Sequence, residues 1–259
     1  MTLVASQSAG SLTGFGNLLD KEMASWWRTR RWLVHLVLWL AVIGGFLLLI
    51  SVSEGRQANP ANQIAETMEV FFQVGGFFGL IGAVLVTQGA IVGERTSGTA
   101  AWVLTKPTTR RSFVLSKLVA ITFTFLLLSV VVPAIAALTI CQVFWHGIPN
   151  LVHFSEALAI LALHQTFYIA LTLMLGTLFG SRGPVGGVSL GFWVAGAIMP
   201  NFVPIWVTLA TPWLLAKGAA SIAVWKPVGF PIWIPVLATS LLGVIAVVVA
   251  LWRFEREEF

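Results

Sequence analysis

Few residues in this 259-residue chain have the type or spacing that chemistry requires. His164, Gln165 and Tyr168 fall together in an apolar run, and positions 164 and 168 share one helical face. Such a trio can line a solute path, relay a proton or join neighbouring helices by hydrogen bonds, and interhelical bonding is the simplest of these. His35 reads as an interfacial residue, and His146 and His153 as loop residues. There is no G-x-x-x-x-G-K-[ST] loop to cradle phosphates and no H-E-x-x-H pair. The single cysteine, Cys141, allows no intramolecular disulfide, and the single aspartate, Asp20, excludes an intramembrane aspartyl pair. Gly180-Ser181-Arg182-Gly183 reads as a turn rather than a nucleophile elbow. No catalytic residue and no metal site are therefore assigned, and the chain is not read as an enzyme.

Those residues sit in a chain that is 58% apolar and 10% charged, against the roughly 25% charged residues of soluble domains. About 20 apolar residues cross a bilayer. Runs of that kind fall at about 32–52, 69–92, 112–143, 154–180, 184–200 and 233–252. The expected fold is an all-α polytopic membrane protein, with a flexible tail over 1–14 and one transmembrane domain over 15–259. Between 15 and 31, Phe15, Leu18, Leu19, Met23, Trp26 and Trp27 recur at helical steps among basic residues, which describes an amphipathic interfacial helix. The third run is overlong and carries Pro133, so a kink is expected there. The stretch 201–232 is apolar but broken by Pro204, Pro212, Pro227 and Pro231, and reads as short re-entrant or surface helices.

With a cytoplasmic N-terminus, twelve Lys and Arg residues fall inside and Arg56, Lys217 and Lys226 fall outside. This places both termini in the cytoplasm, for a multi-pass protein expected in a prokaryotic plasma membrane. No cleavable signal peptide is expected, because residues 1–14 lack a basic segment followed by an apolar one. The net charge of +5 flanks apolar runs and gives no case for nucleic acid. Gly75, Gly79 and Ala83, like Gly187, Gly191 and Ala195, recur every four residues. Small residues at that spacing permit close helix contact, within the chain or between two copies.

The middle of every expected span lacks Asp, Glu, Lys and Arg, so an ion-coupled energy source has no obvious binding group. If a solute moves uphill, another polypeptide supplies the energy. The place for it to act is the polar insert between the second and third runs. Ser97 is expected to cap a short helix over about 98–105, which Pro107 ends, and Thr108 or Thr109 to cap the third span. Trp102, Val103 and Leu104 then form an apolar surface for a partner's cleft. Glu94 is expected to pair with Arg110 or Arg111 of the same chain, ahead of a partner's basic residue.

The order Glu94-x3-Gly98-Thr99, Leu104-x2-Pro107, Arg110 or Arg111, then Lys117 resembles the membrane subunits of type-2 ATP-binding cassette transporters. The likeness extends to the interfacial helix, six spans, outer hairpin and short charged tail. It implies a permease that pairs with a second copy or a paralogue and docks on ATP-binding cassette ATPase subunits, which hold the ATP and Mg; this chain holds no cofactor. Residues Glu94, Arg95, Gly98, Thr99, Trp102, Val103, Leu104, Pro107, Arg110 and Arg111 would form the coupling loop. The first, second and fifth spans would line the dimer interface. An exporter of a hydrophobic or amphipathic solute (a lipid, drug or peptide) is the function implied. A non-transporting scaffold or sensor partnered with an ATPase is the alternative, and a gated channel a third reading.

Overall fold

A computed structural model describes residues 12–53 and 59–257, apart from the side chain of Leu104. Most of the expected N-terminal tail, and Arg56, lie outside the described residues. Every described element is helical. Six helices are long and apolar enough to cross a membrane: Arg31–Ser53, Pro60–Thr96, Arg110–Trp145, Leu151–Leu178, Arg182–Asn201 and Trp233–Glu255. They are called the first to sixth spans below. The chain is thus an all-α, multi-pass membrane protein.

Several boundaries differ from the hydropathy runs, each for a local reason. The second span starts at Pro60 rather than near 69, because Asn59 caps it, accepting from the Ala61 amide at 3.0 Å, and Pro60 occupies the first turn. Its regular helix ends at Thr87, and a turn leads into the short helix Val92–Thr96. The interfacial helix covers Phe15–Trp27 instead of 15–31, and Arg31 already opens the first span. The third span does not simply kink. It takes a π-helical turn over Leu127–Val131, immediately before the helix Val132–Trp145 that carries Pro133. A wide turn there absorbs the hydrogen bond that proline cannot donate. The first span has a similar wide turn over Leu40–Gly44, which no proline announces. Stretch 201–232 forms short helices, Ile205–Leu209 and Leu215–Ala223, and the latter packs on the second and fourth spans.

The fourth span is the hub, packed against the second, third, fifth and sixth spans and the helix Leu215–Ala223. Phe71, Phe72, Phe125, Phe154, Leu161 and Tyr168 are among the buried core residues around it. Close approach of the second and fourth spans depends on small residues. A Cβ built on Gly79 would lie 2.1 Å from Nε2 of Gln165, and one on Gly75 would meet Leu161 at 3.5 Å. Gly187 and Gly191 have nothing within 4 Å of such a position. One glycine series therefore packs inside the chain, while the other lies on an open face.

Candidate functional site at the basic end

The insert leaves the second span as the helix Val92–Thr96 and reverses at Gly98, whose φ of 71° is a left-handed conformation that suits glycine. The helix Thr99–Leu104 follows, shorter than the expected 98–105. Ser97 does not cap it. Gly98 occupies the N-cap without a side-chain bond, and the Ser97 hydroxyl instead meets Thr99 Oγ1 at 2.8 Å and donates to the Glu94 carbonyl at 3.3 Å. Thr105 ends the helix two residues before Pro107. Thr109 caps the third span, accepting from the Ser112 amide at 3.2 Å.

This six-residue helix has two faces with different tasks. Ala100 and Val103 are buried with Leu18, Phe113, Val114, Leu173 and Phe254, so elements from the interfacial helix and the third, fourth and sixth spans hold it. Phe113 and Phe254 stack almost parallel, 5.1 Å between centroids. Val103 is 4% exposed and belongs to that anchor rather than to a partner-facing surface, because the helix turns it inward with Ala100. Trp102 points the other way, 61% exposed, with Lys106 Nζ 3.9 Å from the ring centre. The Leu104 side chain lies outside the described residues.

Ion pairs fix the insert's flanks. Lys117 is buried and donates to Glu94 Oε1 at 2.7 Å and to Glu22 Oε1 at 2.9 Å. Lys21 adds a 3.3 Å contact to Glu94. Glu94 therefore pairs with Lys117 and Lys21, not with Arg110 or Arg111 as the sequence reading expected. Those arginines face the end of the sixth span: Arg111 pairs with the Glu255 carboxylate, and Arg110 donates to the Glu255 carbonyl at 2.6 Å. Arg95 donates to the Phe179 and Thr177 carbonyls at 3.1 and 3.2 Å, and bonds Glu257 at 2.5 Å. A cation on the last carbonyls of the fourth span complements that helix end. Glu22, Glu255 and Glu257 are thus ion-pair partners of the insert and its flanks that sequence reasoning passed over. Their only signal was carboxylates clustered on the amphipathic helix and the tail.

The fourth-span trio separates. Gln165 is interhelical glue, accepting from Ser129 Oγ at 3.0 Å and donating to the Gly75 carbonyl at 3.2 Å. Tyr168 is buried, and His164 packs against it edge-on at 5.1 Å. His164 alone of the three lines a cavity of about 440 Å³, with Glu69, Gln73, Trp193, Trp213 and Lys217, toward the end opposite the insert. Among the described residues, no group of three or more His, Cys, Asp or Glu is placed to hold a metal.

Six apolar spans with a polar insert clamped at one end make a membrane-embedded helical bundle. The chain belongs to the ABC-2 family transporter proteins, whose model matches residues 16–215. Members are permease subunits that normally partner with ATP-binding subunits. Among curated proteins none matches the chain.

Proposed function

We propose that this chain is the permease of an ATP-driven exporter, that it works as a dimer, and that its ATPase partner drives it through residues 94–111. The basic end is then cytoplasmic, as the charge bias favours. The observation that carries the reading is the divided helix Thr99–Leu104: Trp102 stands exposed while Val103 is locked into the bundle. Force on Trp102 cannot be absorbed by the loop alone. It passes through Lys117 to the interfacial helix and through Phe254 and Glu255 to the sixth span.

ATP-driven closure of the partner subunits would rock these spans together and open a path at the dimer interface. The open face of the fifth span, with Gly187 and Gly191, is the surface assigned to the second copy. The cavity at His164 is assigned to the solute's exit side, and its Trp193 and Trp213 suit an amphipathic solute.

The test is co-purification with the cognate ATP-binding subunit. Trp102→Asp is expected to lower complex yield and permease-stimulated ATP hydrolysis at least tenfold, whereas Trp102→Phe retains most of both. Normal yield and turnover with Trp102→Asp would remove the docking assignment.

A further inference from the structure

A second cavity, of about 690 Å³, opens at the basic end between the interfacial helix and the first, second, third and fifth spans. Lys21, Arg31, Lys117 and Arg182 line it, against two carboxylates, Glu22 and Glu94. Those carboxylates are already committed to Lys117 and Lys21. Arg31 and Arg182 have no carboxylate partner among the described residues, so the cavity keeps two uncompensated positive charges. Arg182 is held without one. Its guanidinium lies against bare backbone, where a Cβ on Gly89 would come within 3.1 Å of Nε and one on Gly93 within 3.0 Å of Nη2. His35, also in the lining, has a buried Nδ1 without a hydrogen-bond partner.

We infer that this cavity binds the phosphate group of an anionic membrane lipid. Arg31 and Arg182 line the same cavity, and guanidinium groups match a phosphate's acceptor geometry. The place of both arginines at the ends of spans favours a lipid over a free anion. Arg31 and Arg182 each open a membrane span, and stacked Trp27 and Trp32 mark the same interfacial level. Leu85, exposed on the second span, continues the lining with an apolar edge along which an acyl chain can lie. Basic pockets between spans are a known form of headgroup site. All of its lining residues come from one chain, so the site can be tested without the ATPase.

The test uses the detergent-purified chain, delipidated and titrated with phosphatidylglycerol, phosphatidylcholine or inorganic phosphate, with bound lipid counted by native mass spectrometry. Phosphatidylglycerol is expected to bind at least tenfold more tightly than phosphatidylcholine. The double variant Arg31→Gln/Arg182→Gln should lose about tenfold or more of that affinity. Arg28→Gln/Arg30→Gln, at the same end but outside the lining, should retain it within about twofold, and melting without lipid shows whether each variant is folded. Equal binding of both lipids, or full affinity in the Arg31/Arg182 variant, overturns the site. Complete displacement by inorganic phosphate at matched concentration overturns the lipid assignment. Trp102→Asp should bind lipid normally, which separates failure here from failure of the coupling reading.

Discussion

At the scale of single residues, Lys117 bears the heaviest electrostatic demand. Its ammonium is almost wholly out of water and touches two carboxylates from different elements, Glu22 and Glu94. Removing one member of a buried pair leaves uncompensated charge and costs on the order of 3–5 kcal/mol. Lys21 softens that loss here, because it reaches both carboxylates from the exposed side. Lys117→Met is therefore expected to cost about 3 kcal/mol, the low end of that range. The melting temperature of the purified chain reports it. Glu94→Gln should cost less, since Glu22 still holds the ammonium. Equal melting of wild type and Lys117→Met would mean that the triad contributes nothing to stability. Trp102 is the opposite case: it is mostly exposed, with Lys106 over its ring, so its loss should largely spare folding and strike the partner.

At the scale of elements, the two glycine series separate packing within the chain from packing beyond it. Gly79→Leu would drive a side chain into Gln165, breaking its bonds to Ser129 and Gly75, and overpacking alone costs about 1–3 kcal/mol. A Cβ at Gly187 has open space around it, so Gly187→Leu should leave monomer melting unchanged. If the fifth span seats a second copy, Gly187→Leu should shift the detergent-solubilised protein from dimer to monomer on light-scattering chromatography. An unchanged dimer would place the interface elsewhere. The six spans and the insert were legible in the sequence because burial in lipid leaves a one-dimensional record of hydropathy. Their ends were less so: Asn59 and Pro60 start a helix in polar sequence that a hydropathy run does not count. The wide turn at Leu40–Gly44 left only the Gly44–Gly45 pair as a trace, too little to place it, and in the fold it packs against the third span.

At the scale of the whole molecule, the basic end joins elements far apart along the chain, and here the sequence was least informative. It supplied the charges but not their pairing, because Lys117 and Glu22 are 95 positions apart and Arg95 and Glu257 are 162 apart. Glu94 went to the wrong partner in the sequence reading because nearness in sequence favoured Arg110 and Arg111. In the fold those arginines turn to Glu255 at the end of the sixth span, while Arg95 holds Glu257 just beyond it, so residues 255–257 strap the insert to the sixth span. Glu255→Gln/Glu257→Gln removes the ionic part of that strap and leaves the Phe113–Phe254 stack and the Arg110 bond to the Glu255 carbonyl. The Arg111–Glu255 pair is open to solvent and the Arg95–Glu257 pair partly so, and the stability cost should be small. Trp102 is untouched, so the ATP-binding subunit should still co-purify at normal yield. What should fall is transmission: transport per ATP hydrolysed, measured in reconstituted vesicles, is expected to drop several-fold as the sixth span follows the insert less closely. Wild-type transport per ATP would show that these two ion pairs play no part in coupling, and that the Phe113–Phe254 stack and the interfacial helix, through Lys117, carry the motion without them.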